Sequence, residues 1–166
     1  RTVIKCLAEE PLLFEPGARW NYSLCHDVLA VLAEVVSGMR FSEYMKKYIF
    51  EPLDMNNSYY HTPNDVIISP QYIYEIQDTK NIVKEHTIGV VKRAYGNELV
   101  FGENYDSGGA GIITTVDDYA KFAAALANSG TGLNNNRILS SATVKLMKTN
   151  QLNEAQRKTM NWRRLR

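Results

Sequence analysis

The residues best equipped for chemistry gather near the start of the chain. The run Phe14-Glu15-Pro16-Gly17-Ala18-Arg19-Trp20-Asn21-Tyr22-Ser23-Leu24 leads straight into an apolar helix that ends at Ser37-Gly38. A Pro-Gly turn, an aromatic pair and a hydroxyl dipeptide at the head of that helix present Tyr22 at a helix N-terminus. Cys25-His26-Asp27 follow at once and invite a catalytic reading. Adjacent helical residues point about 100° apart, however, and cannot converge on one another. A buried Cys25 and a partly exposed His26 are expected instead. His26, His61 and His86 lack metal-ligand spacing, so neither a metal nor a cofactor is expected. Asp117 and Asp118 read as first-turn helix charges rather than a carboxylate pair. The glycine run at 108–111 has no preceding strand and no helix directly after it, which favours a structural turn over a phosphate loop.

The bulk properties leave the choice to these motifs. A chain of 166 residues suits one domain, and 45% hydrophobic with 22% charged residues is ordinary for a globular protein. The net charge of +1 gives no electrostatic reason to expect nucleic acid. The one asymmetry is basic: Arg157, Lys158, Arg163, Arg164 and Arg166 crowd the end of the chain, as a frayed tail would. Cys6 and Cys25 both fall in apolar helical patterns and are expected as buried thiols rather than a disulfide. No apolar run reaches the roughly 18 residues of a membrane span. The start at Arg1 without methionine fits a piece of a longer polypeptide.

Several elements must position the Tyr22 stretch. Thr2 can cap a short helix that Pro11 stops. From Ser23 onward, Leu24, Val28, Val31, Leu32 and Val35 recur at helical spacing, and Leu29, Ala30, Ala33 and Val36 widen the apolar face. That helix is expected to be central and largely buried, with Gly38 as its left-handed stop. Phe41, Tyr44, Met45 and Tyr48 mark an amphipathic helix closed by Pro52, with Lys46 and Lys47 in water. Tyr72, Ile73, Tyr74 and Ile76, a turn at 78–81, and Ile82-Val83 predict a hairpin. Val90-Val91 and Leu99-Val100-Phe101 around Gly96-Asn97 predict a second small pairing. Thr115 caps a helix whose buried face is read as Tyr119, Phe122, Ala123 and Leu126, ended by Asn128-Ser129-Gly130. Ser140 caps another helix, and Asn153 with Gln156 forms a capping box for the last.

Two blocks in this order resemble a known family. Phe14-Glu15-Pro16-Gly17, Trp20, Tyr22-Ser23, Glu34, Ser37-Gly38, Phe50-Glu51-Pro52-Leu53 and Met55 make the first. Ser107-Gly108-Gly109-Ala110-Gly111-Ile112, Thr114-Thr115, Asp118-Tyr119 and Phe122 make the second. Together they look like the middle of the serine β-lactamase, DD-peptidase and esterase family, penicillin-binding-protein-like serine hydrolases. The resemblance implies a mainly α chain with a small β-hairpin region, the helical subdomain of the β-lactamase/transpeptidase-like fold. It implies a serine in Ser-x-x-Lys that is acylated, a tyrosine that assists proton transfer, and a strand bearing Lys-Thr-Gly or His-x-Gly.

Here the tyrosine element alone is found, as Tyr22. No serine is followed three residues on by lysine; Lys158-Thr159-Met160 lacks the glycine, and Gly130-Thr131-Gly132 follows a helix end. The chain is therefore expected to be a single piece, residues 1–166, of a longer enzyme that carries the nucleophile upstream and closing strands downstream. Alone it is expected to be inactive, since a base without a nucleophile has no proton to take. A free phenol has a pKa near 10, so Tyr22 serves as a base only where cations favour the phenolate; the resemblance assigns that work to family lysines absent from this chain. Leu24 stands where penicillin-recognising members usually have asparagine, and leucine cannot replace an amide's hydrogen bonds. The parent's substrate is expected to be a small-molecule ester, amide or β-lactam, with the weight shifted toward small esters or an amide and away from efficient β-lactam hydrolysis. Trp20 can line the site or simply pack. The alternative is a non-catalytic binding or assembly module that keeps the fold and uses its basic tail. Self-association through surfaces that a missing sheet would cover is also expected. The compartment stays open, since the family is found in the cell envelope, outside the cell and in the cytoplasm.

Overall fold

The structure is a computed structural model that describes residues 2–77, 80–86, 90–92, 98–100 and 104–160. Helix α1 (Thr2–Glu9) stops short of Pro11, whose ring cannot continue a helical ladder. Ala18 N donates to Glu15 O at 3.0 Å, closing a turn with Pro16 and Gly17 at its centre. Gly17 has φ +83°, the positive value that such a turn demands of its third residue. Helix α2 (Cys25–Ser37) follows and ends as the sequence predicts, with Gly38 at φ 71° donating to Glu34 O.

The expected burial of α2 needs correction. Only Asp27 and Ala30 are buried, whereas Leu29, Leu32, Val35 and Val36 are 58, 54, 62 and 80% exposed. Its apolar residues occupy more than one face, and α1, the next helix and the glycine run that lie against it leave these four side chains exposed. Cys6 and Cys25 are likewise exposed free thiols, not buried ones; Cys25 Sγ lies 2.8 Å from Ser23 Oγ.

The predicted helix before Pro52 is a composite. Helix α3 (Phe41–Met45) passes into a π-helical turn (Lys46–Phe50) and then a 3-10 turn (Glu51–Leu53). Pro52 has no N–H for the carbonyl four residues back, so the ladder changes there instead of stopping before it. Lys46 and Lys47 face water as expected. Asp54 at φ 56° ends the segment. Phe50, Leu53, Met55 and Ala125 form the buried core, with Met45, Ile49, Tyr60, Phe122 and Ile138 packed on it.

Both hairpins are present. Strands β1 (Gln71–Gln77) and β2 (Lys80–His86) pair antiparallel with Tyr74 opposite Val83 and Gln77 opposite Lys80. Residues 78 and 79 of its predicted turn lie outside the described residues. Tyr72, Tyr74 and Ile76 share one face by strand alternation, and all three are exposed. Strands β3 (Val90–Lys92) and β4 (Glu98–Val100) pair as Val90 with Val100 and Val91 with Leu99; Gly96-Asn97 and Phe101 lie outside the described residues.

Helix α4 (Val116–Ala127) is capped by Thr115, whose Oγ1 accepts from Asp118 N at 3.3 Å. Its inward face differs from the predicted one. Asp118 and Ala125 are buried and Phe122 half-buried, while Tyr119 is 62% exposed and Ala123 is exposed too. The buried Asp118 carboxylate is hydrogen-bonded to Asn57, Ser58 and Lys121. Ser129 (φ 54°) and Gly130 (φ 93°) then end it. Helix α5 (Ser141–Met147) is capped by Ser140, and α6 (Glu154–Thr159) by the reciprocal Asn153–Gln156 box. Of the basic tail, residues 161–166 lie outside the described residues. Among the described residues no helix is long and apolar enough to cross a membrane.

Candidate functional site

Tyr22 stands in the loop two residues before Leu24, the N-cap of α2, and is 73% exposed. The loop that carries it is held on both sides. Upstream, Asn153 Nδ2 donates to Gly17 O at 2.9 Å, and Trp20 N donates to Thr159 Oγ1 at 2.8 Å. Helix α6 and its cap thus grip the Pro-Gly turn and the half-buried Trp20.

Downstream the fixed point is Asp27. The residue is 6% exposed, and Oδ1 accepts from Tyr105 Oη at 2.7 Å, Ser107 Oγ at 2.8 Å and Gly108 N at 3.1 Å. Ser107 Oγ in turn accepts from Gly109 N and Ala110 N, which folds the glycine run back on itself. Gly108 must be glycine for packing. A Cβ there would lie 2.2 Å from His26 O, so the run lies directly against the first turn of α2. That geometry makes it a close-packed turn, as the sequence reading favoured over a phosphate cradle.

A second carboxylate sits beside this one. Asp106 accepts from Arg40 Nε (3.0 Å), Arg40 Nη2 (2.9 Å) and Ser42 N (2.8 Å), and His61 Nε2 lies 2.6 Å from its Oδ1. Burial alone would raise this carboxyl. Hydrogen bonds from Ser42, His61 and Arg40 outweigh burial and hold it at about 2. Burial, followed by the charges of Asp106 and Asp27, pushes the Tyr60 phenol up, so Tyr60 stays protonated. Its ring meets Phe41 edge-on at 5.6 Å. Asp118, 1% exposed, repeats the pattern: Oδ2 accepts from Asn57 N (2.7 Å) and Ser58 Oγ (3.0 Å), and Oδ1 from Lys121 Nζ (2.9 Å). There too burial is outweighed, chiefly by Lys121, and the carboxyl is lowered.

Cys25, His26 and Asp27 diverge: toward Ser23, into an exposed position, and onto the glycine run. Of the histidines, His61 joins Asp106 and Arg40. Among the described residues no group of three or more His, Cys, Asp or Glu side chains is placed to hold a metal ion. From the sequence, Asp27 is weighed only as part of Cys25-His26-Asp27, and Asp106 does not stand out. The one available signal for Asp27 was an acid in the first turn of a helix otherwise apolar around it.

A family model for Beta-lactamase matches residues 1–164. The chain belongs to the beta-lactamase family. Its fold is the β-lactamase/transpeptidase-like one. Among solved structures, this beta-lactamase-family chain is similar to EstCE1, a hydrolase with promiscuous acyltransferase activity. The TM-score is 0.67 at 27% identity, covering 87% of this chain and 38% of that one. Esterase EstB of Burkholderia gladioli is 26% identical over 134 residues, 76% of this chain and 34% of EstB. Protein Rv1367c of Mycobacterium tuberculosis is 25% identical over 155 residues, 93% of this chain and 36% of that protein. The chain spans about a third of the length of these curated relatives.

Proposed function

We propose that the chain is the helical subdomain of a serine hydrolase that works through an acyl-enzyme on small esters or amides, with Tyr22 as its proton-transfer residue. The observation that carries this reading is the presentation of Tyr22. An exposed phenol stands at the head of α2, on a loop tied down at Gly17 and Trp20 on one side and followed by a buried anchor at Asp27 on the other. Membership of the beta-lactamase family and likeness to an esterase and to a hydrolase with acyltransferase activity support the reaction class.

In that reaction a serine supplied from outside this chain attacks the substrate carbonyl. Tyr22 takes the serine proton and returns it to the departing alcohol or amine, and water then releases the acyl group with the same residue acting in reverse. Leu24, beside the site, offers no amide for a β-lactam side chain, which favours small esters. The apolar stripe Leu29, Leu32, Val36 is then the face on which the remaining sheet packs, and the isolated chain self-associates through it.

The test is fluorophosphonate labelling and ester turnover of the intact protein that contains this chain. Tyr22→Phe is expected to lower turnover by about 100- to 10,000-fold. Residues 1–166 alone are expected to take no label. Unchanged turnover in Tyr22→Phe would remove Tyr22 from the mechanism, and failure of the intact protein to label at all would favour the non-catalytic module.

A further inference from the structure

We propose that Asp27 is the positioning residue for Tyr22, locking the segment that carries Tyr105, Ser107 and Gly108 onto the first turn of α2 and so fixing where the phenol stands. The inference rests on the reading of Tyr22 as the proton-transfer residue and adds a residue that acts through it.

Three observations converge. The first is where Asp27 sends its carboxylate. As the third residue of α2, it is placed to reach back and satisfy the helix's own N-terminus, yet Leu24 provides no side-chain cap and Asp27 turns outward instead. Its three donors come from positions 78, 80 and 81 residues away. A buried carboxylate is costly unless hydrogen-bonded, so this acid is held in the structure by the segment it binds. The second is the absence of slack. With His26 O and the Ala30 side chain against Gly108, the glycine run has no room to slide along α2. The third is the short path along the chain to the phenol. Asp27 N and Val28 N both donate to Leu24 O, at 3.0 and 3.2 Å, so the turn that Asp27 anchors is the turn from which residues 22 and 23 depart.

All three donors fall on Oδ1. Asparagine can therefore keep that oxygen and place its amide nitrogen at the Oδ2 position, which gives a conservative variant that preserves the lock. Alanine removes it.

The experiment measures hydrolysis of p-nitrophenyl butyrate by the intact protein, with kcat expressed per active site titrated by fluorophosphonate, so that misfolded molecules drop out. Asp27→Ala is expected to lower kcat per site about 10- to 100-fold with KM within about threefold, the signature of a misplaced proton-transfer group rather than lost binding. Asp27→Asn is expected to stay within about threefold of the parent, because the acceptor survives. Ser107→Ala and Tyr105→Phe, which each delete one donor, are expected to fall between, and they carry the test if Asp27→Ala does not fold. Tyr22→Phe runs alongside. If it equals the parent, the reading of Tyr22 fails and this inference with it. If Tyr22→Phe is inactive while the Asp27, Ser107 and Tyr105 variants keep the parental kcat per site and lose only melting temperature, Asp27 merely holds the fold and the positioning role is overturned.

Discussion

Arg40 meets Asp106 as a fork on a carboxylate, Nε donating to Oδ2 at 3.0 Å and Nη2 to Oδ1 at 2.9 Å. The Asp106 side chain is only 2% exposed, so the pair joins the start of α3 to the segment leading into the glycine run. Two parallel bonds fix orientation as well as distance, which a lysine at position 40 could not do.

A pH dependence follows from this carboxylate. Its pKa is lowered from 3.8 to about 2 in the folded protein. A depressed acid contributes stability that is fully present above the unfolded value of 3.8 and is lost as pH falls through the folded value of about 2. The contribution is about 2 kcal/mol. Asp106→Asn should lower the melting temperature at neutral pH and flatten its decline across that acid window. Parallel Tm-against-pH curves for parent and variant would contradict the assignment.

Two neighbouring glycines should respond differently to the same methyl group. A Cβ on Gly108 meets the backbone oxygen of His26 at 2.2 Å, whereas one on Gly109 meets Asp27 Oδ2 at 3.5 Å in ordinary contact. Gly108→Ala is expected to cost about 2–4 kcal/mol and Gly109→Ala less than about 1. Urea midpoints of the two variants measure the difference, and equal midpoints would mean that the run does not rest on α2.

The grip of α6 on the Tyr22 loop can be read at a single amide. Thr159→Val keeps the shape of the side chain and removes the acceptor for Trp20 N. A hydrogen bond worth about 1 kcal/mol corresponds to roughly fivefold faster exchange of that amide. Protection of α2 amides such as Val31 should not change. An unaltered Trp20 exchange rate would show that the loop is held by other means.

What could be read from the sequence, and what could not, divides by range. Gly38, Thr115, Ser140 and the Asn153–Gln156 box were legible because a cap acts within four residues. The first hairpin was legible because alternation and its turn lie within one short stretch. Burial of α2 was not, because periodicity marks an apolar stripe but not what covers it. The inward face of α4 was misread for a related reason: Asp118 faces in to meet Asn57 and Ser58, 61 and 60 residues earlier. Tyr22 stood out through its local setting, whereas Asp27 and Asp106 owe their importance to partners that spacing along the chain does not reveal.

The bonds from Gly17 to Asn153 and from Trp20 to Thr159 also set an order in time. Their partners are 136 and 139 positions apart. A ribosome adding about 5–20 residues per second delivers the second partner on the order of ten seconds after the first. During that interval the nascent chain carries its phenol on a loop with neither upstream tether made. Tyr22 therefore leaves the ribosome well before either of the residues that tether its loop from α6 and its cap.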